Sequence, residues 1–360
     1  MISEKITRLQ KLCAEQNIDY IFVANFGHEI ADALLYYILL KNPEHAVLLI
    51  PRTGRPTLWI TPFEVIQTQE QFSEIDVRPL DQKLIDAIQS VVPVSSKIGF
   101  RSATFPILAY EALIKANYSM QPIEGVEKMF AQKNTYEIET MRFVAQETDL
   151  AFDGLVKQWS EFETERDAAR FLEQYVLEHD YALSFPTIIA SGPHAARPHH
   201  VTSNTSLTRG FCVIDMGLRI NGYCSDMTRT IFIGHPSSQE KKRYEELEKI
   251  QEETCALVKP HISTVELDAF CREKLGSKNQ YFVHGLGHGV GTQVHEWPAV
   301  GTKNPILLEP GMVITIEPGL YEEGVYGMRI EDDILVTEDG NERLTRTSKN
   351  LILVTDRVAQ

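Results

Sequence analysis

Apolar positions in the first third of the chain follow two different periods. Over residues 2–17 they fall at Ile6, Leu9, Leu12 and Cys13, the spacing of a helix with one buried face. Residues 19–25 (DYIFVAN), 45–51 (HAVLLIP) and 56–61 (PTLWIT) are short apolar runs that predict buried strands, and 97–100 (KIGF) predicts a shorter one. From residue 135 the pattern changes. Residues 135–159 predict one long amphipathic helix, and 163–180 a second, opened by Thr164 and acidic in its first turn. A third runs through 238–258, where the dense charge reads as a solvated face. Strand-like runs lie between and after these helices at 211–217, 226–234, 312–319 and 328–337. The change in pattern between residues 122 and 134 predicts two domains, 1–127 and 128–360, both mixing α and β.

With 360 residues, 43% of them hydrophobic and 24% charged, the chain can build two sizeable cores. Thirty-five basic residues against fifty acidic give a net charge of −15, which argues against nucleic-acid binding and against adhesion to anionic membranes. ADALLYYILL, the best candidate for a membrane segment, has about half the length required. The N-terminal segment lacks the apolar centre of a signal peptide. Five cysteines (Cys13, Cys212, Cys224, Cys255 and Cys271), an odd number without a CxxC pair, read as reduced thiols in a cytoplasm. In the first domain no glycine-rich phosphate loop or nucleophile elbow is present, and His28 and His45 stand alone as packed or solvated residues.

Chemistry concentrates in the second domain. Nine of the eleven histidines lie beyond residue 150; six of them are His194, His199, His200, His284, His288 and His295. The segment HGLGHGVGTQVHE surrounds two of these with glycines, an entropic cost that a purely structural segment would avoid. In DMGLRINGYCSDMTRT, Asn221-Gly222 predicts a type I′ hairpin turn. Its register sets Asp215 opposite Thr228 and Asp226 opposite Gly217, so the two aspartates project from one face about 7–8 Å apart at Cα. On a strand through VITIEPG, Thr315 and Glu317 share a face. On one through MRIEDDILV, Arg329, Glu331 and Asp333 do. Four acids inside apolar strands are costly unless something neutralises them. Asp215, Asp226, Glu317 and Glu331, with a neutral His288, balance two divalent cations and not one. An oxygen-rich set with one imidazole suits Mn²⁺ or Co²⁺, with Zn²⁺ possible. Cys212 and Cys224 read as packing, since thiolates are not needed for that balance.

These motifs, in this order and after FPTIIASGPHAARPHH, resemble the Xaa-Pro peptidases, prolidase and aminopeptidase P, of the pita-bread-fold metallopeptidases. The resemblance implies a creatinase-like α/β N-terminal domain and a catalytic domain with a curved, mainly antiparallel sheet flanked by helices. It implies a metal-bridged hydroxide attacking the carbonyl before proline in dipeptides or short peptides, and a homodimer. By match the metal ligands are Asp215, Asp226, His288, Glu317 and Glu331. Glu317 also handles the proton of the attacking water, His295 steadies the substrate carbonyl, and His199 stands beside the proline subsite. His284 and Arg329 match residues that support the ligands or meet the substrate carboxylate. Three departures stand out: His200 replaces a common glycine, the strand entering Asp215 is one residue short, and NFGHEIADALLYY replaces a tyrosine–glycine–phenylalanine stretch. Alternatives are an aminopeptidase acting on longer peptides, a methionine-aminopeptidase-like enzyme, a creatinase-like amidinohydrolase, and a binding protein without catalysis. The five intact ligand types speak against the last two.

Overall fold

A computed structural model describes residues 2–26 and 32–355. His28, and residues 27–31 of the departing N-terminal stretch, lie outside the described residues. The chain divides into two compact units, Met1–Met129 and Phe130–Gln360.

The first unit is a six-stranded mixed sheet with helices. Tyr20–Phe26 is central, antiparallel to His45–Pro51 and parallel to Lys97–Phe100, and the buried runs supply its core around Phe22, Val47, Leu49 and Trp59. The four-residue strands Asp76–Pro79 and Ser119–Pro122 complete the edges. Their sequences, DVRP and SMQP, carry too little apolar pattern to announce a strand. Within ADALLYYILL, Ala33–Leu39 forms a short buried helix capped by Asp32, whose carboxylate accepts from the backbone N–H groups of Leu34 and Leu35. No helix among the described residues is long and apolar enough to cross a membrane. His45 is exposed at the start of its strand.

The second unit sets mainly antiparallel sheets against four long helices: Thr135–Lys157, Glu165–Glu178, Ser238–Leu257 and Thr264–Leu275. All four begin with capping boxes, at Asn134, Thr164, Ser237 and Ser263. The fourth was not foreseen; its sequence, TVELDAFCREKL, packs Leu267, Cys271 and Leu275 into the core. All five cysteines are free and buried.

The hairpin turn has positive φ at Asn221 (51°) and Gly222 (84°). Arg219 pairs with Cys224 and Asp215 with Thr228. Between these pairs the ladder is interrupted. Ser225 folds back to give its N–H to Leu218 O, and its own carbonyl sits where a Cβ on Gly217 would come within 2.0 Å, so only glycine fits there. The run 328–337 is likewise not one strand. Tyr326–Arg329 pairs with Gly319–Glu322, and Asp332–Val336 pairs with Val313–Ile316. At the break Glu331 gives its N–H to Thr228 O, while its carbonyl accepts from Arg229 Nη1 at 2.5 Å. The chain therefore changes partners at Glu331 and turns that side chain toward Asp215 and Asp226.

Candidate metal centre

Each acid arrives from a different piece of backbone. Asp215 is the penultimate residue of the strand Gly210–Met216, Asp226 precedes Met227–Ile233, and Glu317 follows Val313–Ile316. Glu331 occupies the break just described. His288 is the middle residue of the three-residue strand Gly287–Gly289, wedged between Glu296–Val300 and Val313–Ile316. A Cβ on Gly287 would come within 2.1 Å of Thr315 O, which is why the histidine is embedded in glycines.

Asp215, Asp226 and Glu331 converge, as do His288, Glu317 and Glu331, with one donor atom from each within 4.8 Å of the others. His288 Nε2 lies 3.6 Å from Asp226 Oδ2 and 3.5 Å from Glu317 Oε1. These gaps are too long for good hydrogen bonds. They suit two ligands on one cation at bond lengths of about 2.0–2.2 Å. Nδ1 of His288 is 3.2 Å from Gly289 O and can donate to it, which leaves Nε2 with its lone pair toward the acids. Burial, and then His295, push the His288 pKa down to about 3, so the imidazole is neutral. Burial, then mutual repulsion, pushes the acids the other way. Asp226 and Glu317 are raised well above the carboxylate range, and Glu331 to about 8. Asp215 Oδ1 is buried with no hydrogen-bond partner among the described residues. An orphaned oxygen and mutually repelling carboxyls around a neutral imidazole fit a cation site.

Around this cluster lies a cavity of about 600 Å³, lined by all five of these residues and by His199, His284, His295 and Arg329. The rings of His295 and His288 meet edge-on at 4.3 Å. His199 is exposed. Arg329 donates from Nη2 to Asp215 Oδ2 (2.6 Å), from Nη1 to Tyr321 Oη (2.7 Å) and Pro198 O (3.3 Å), and from Nε to Thr228 Oγ1 (3.0 Å). Four of its five N–H groups are thus engaged by protein. The same tyrosine oxygen is 3.0 Å from His284 Nε2, and Nδ1 of His284 faces Gly285 O at 2.8 Å. Of the two roles the sequence allows Arg329, these bonds favour bracing Asp215.

Three contributors escape the sequence pattern. Tyr321 joins Arg329 to His284, but in EPGLY it reads as an ordinary apolar strand residue. Lys133 forms a buried ion pair with Glu296 at 2.9 Å, behind the loop that carries His295. Glu165, read from sequence only as first-turn acid, is fully buried and accepts from Ser191 N (3.0 Å), while facing His194 Nδ1 (2.9 Å) and His200 Nε2 (2.8 Å). Burial raises its pKa, but these bonds outweigh that and leave it lowered. The two histidine rings stack at 4.3 Å. Here the donor–acceptor distances are those of hydrogen bonds, in contrast to the wider gaps around His288. Cys224 is held as a thiol, its pKa pushed up to about 11 by burial.

The fold and this cluster define a metallopeptidase: residues 139–338 match metallopeptidase family M24 and residues 5–144 the creatinase/prolidase N-terminal domain, and the chain belongs to that family of Xaa-Pro peptidases. Among curated relatives, the Xaa-Pro dipeptidase of Pyrococcus furiosus is 33% identical over 358 residues, 98% of this chain and 100% of that protein. The structure of an Xaa-Pro dipeptidase from Bacillus anthracis superposes with a TM-score of 0.89 at 32% identity, covering 98% of this chain and 100% of that one. An X-Pro aminopeptidase from Thermotoga maritima gives 0.88 at 29% identity, covering 97% and 99%.

Proposed function

We propose that the protein hydrolyses the Xaa-Pro bond of dipeptides and short peptides, with Asp215, Asp226, His288, Glu317 and Glu331 holding two divalent cations. The observation that carries this reading is the convergence of four carboxyls and one neutral imidazole in a single cavity, with ligand-to-ligand gaps of 3.5 and 3.6 Å. Mn²⁺ or Co²⁺, with Zn²⁺ as the alternative, would supply Lewis acidity and a water activated near neutral pH. Glu317, hydrogen-bonded to Thr315 Oγ1 at 3.4 Å, takes up a proton and returns it to the leaving proline nitrogen. His295 donates to the carbonyl oxygen as charge develops there. His199, on the cavity wall, stands beside the proline ring, whose missing N–H and fixed φ allow selection by shape. His284 and Arg329 position the acids through Tyr321 and Asp215. The chain resembles both an Xaa-Pro dipeptidase and an X-Pro aminopeptidase, and the substrate proposed is the dipeptide.

The decisive experiment is metal analysis of the purified protein joined to an Ala-Pro hydrolysis assay before and after chelation. About two equivalents of metal per chain and restoration of activity by Mn²⁺ are expected. Full activity in the chelated protein, or with one equivalent, sinks the two-metal reading. A methionine-aminopeptidase-like enzyme would instead cleave a Met-Ala peptide faster than Ala-Pro. The same reading carries a homodimer in a reducing compartment. The five free, buried thiols accord with that compartment, and sedimentation equilibrium tests the dimer.

A further inference from the structure

A dipeptide ending in proline brings a free carboxylate into the cavity, and an anion there needs a cation with unspent donors. Among the described residues two arginines line the cavity, Arg166 and Arg329, and no lysine does. Arg329 has spent four N–H groups on Asp215, Tyr321, Pro198 and Thr228. Arg166 has spent far less. Among the described residues its guanidinium makes one hydrogen bond, from Nη2 to Thr202 O at 2.6 Å, and the nearest carboxylate, that of Glu173, stands 3.9 Å from Nη1, beyond hydrogen-bond reach.

The place of Arg166 is built. It is the second residue of the helix Glu165–Glu178, and its backbone N–H binds Ser203 O. The preceding Glu165 N–H binds Thr205 O, and the Glu165 carboxylate holds His194 and His200. Thr202, which orients the guanidinium, lies three residues after His199, the residue proposed beside the proline ring. A proline carboxylate leaves the ring on its own Cα, next to the bond being cut, so its partner must stand on the wall that flanks the ring. Half-exposed Glu173, 3.9 Å away, leaves the donors of the guanidinium unsaturated.

From this distribution of donors we infer that Arg166, and not Arg329, receives the C-terminal carboxylate of the substrate, and so sets the preference for short peptides with a free end. The inference rests on the Xaa-Pro reading of the site. The test compares kcat/KM for Ala-Pro and for Ala-Pro amide in the parent, Arg166→Gln and Arg166→Lys, all loaded with Mn²⁺. Losing a charge-assisted bond costs roughly tenfold to a hundredfold. The parent should therefore favour the acid over the amide by at least about tenfold. Arg166→Gln should lose that preference through KM, handle the amide within about threefold of the parent, and keep its metal content and melting temperature. Arg166→Lys, with a point charge and no fork, should fall between them. An acid-to-amide ratio unchanged by Arg166→Gln overturns the inference, as does a parent that cleaves both alike. A loaded parent that cleaves neither substrate rejects the Xaa-Pro reading instead.

Discussion

Chelating the cations should leave a protein that loses stability as the pH rises. Glu331, buried beside Asp215, has its pKa pushed from 4.5 to about 8, and Asp226 and Glu317 move in the same direction. A carboxyl raised in this way binds more protons folded than unfolded. Its contribution is complete below the unfolded value and is lost as pH climbs through the folded one. His288 and His284, depressed to about 3 and about 4, work in the opposite sense, but only up to their unfolded value of 6.5. From pH 6.5 to 8 the carboxyls alone set the slope. Over that span Glu331 by itself contributes ~2 kcal/mol at ~1.4 kcal/mol per pH unit. For a domain of this size that corresponds to a fall in Tm of roughly 4–8 °C. Differential scanning calorimetry of chelated protein across this range measures it. With saturating Mn²⁺ the slope should vanish or reverse, because cations displace the protons and bind more tightly as pH rises. A chelated protein whose Tm is flat or rising from pH 6.5 to 8 would show that the acids do not crowd one another as described.

Glu317→Gln should lower kcat by at least about 10²-fold while Ala-Pro still binds, and activity within tenfold of the parent at full metal content would remove Glu317 from proton transfer. His295→Ala should lower kcat by roughly 10²–10³-fold with both metals retained; loss of a metal, measured by elemental analysis, would make His295 a ligand. Arg329→Ala strips Asp215 of its brace and should weaken metal binding by roughly 10–100-fold, read by competition with a chelator; unchanged affinity would refute the bracing role. Glu165→Gln leaves one of His194 and His200 without an acceptor and should raise KM for Ala-Pro more than it lowers kcat; a parent-like KM would show that the His199 wall does not depend on this clamp.

Local rules carried the sequence a long way. Asn221-Gly222 can satisfy its φ values only as a tight turn, and a two-residue turn fixes register, so Asp215 could be set opposite Thr228 from sequence alone. Thr164 likewise marked the start of one long helix, which opens with a capping box. The acids at 215, 226, 317 and 331 betrayed themselves by standing in runs of sequence that are otherwise apolar, where an uncompensated charge is expensive.

What escaped depends on partners distant in the chain. MRIEDDILV reads as one strand because alternation reports a face, not the neighbour it pairs with. Only Thr228 and Arg229, about a hundred residues earlier, divide it at Glu331. An arginine looks the same in sequence whether its fork is free or spent, and it took Asp215, Tyr321 and Pro198 to commit Arg329. Glu165 passed for a helix-start acid because nothing near it foretells the two histidines that close on it. The sequence determined which acids and histidine are candidate ligands, the hairpin and the alternation of buried and exposed positions, since these follow from backbone periodicity and the cost of burying charge. Tertiary structure decided which donors remain unspent at the cavity wall, since a hydrogen bond is counted only when both partners are in place.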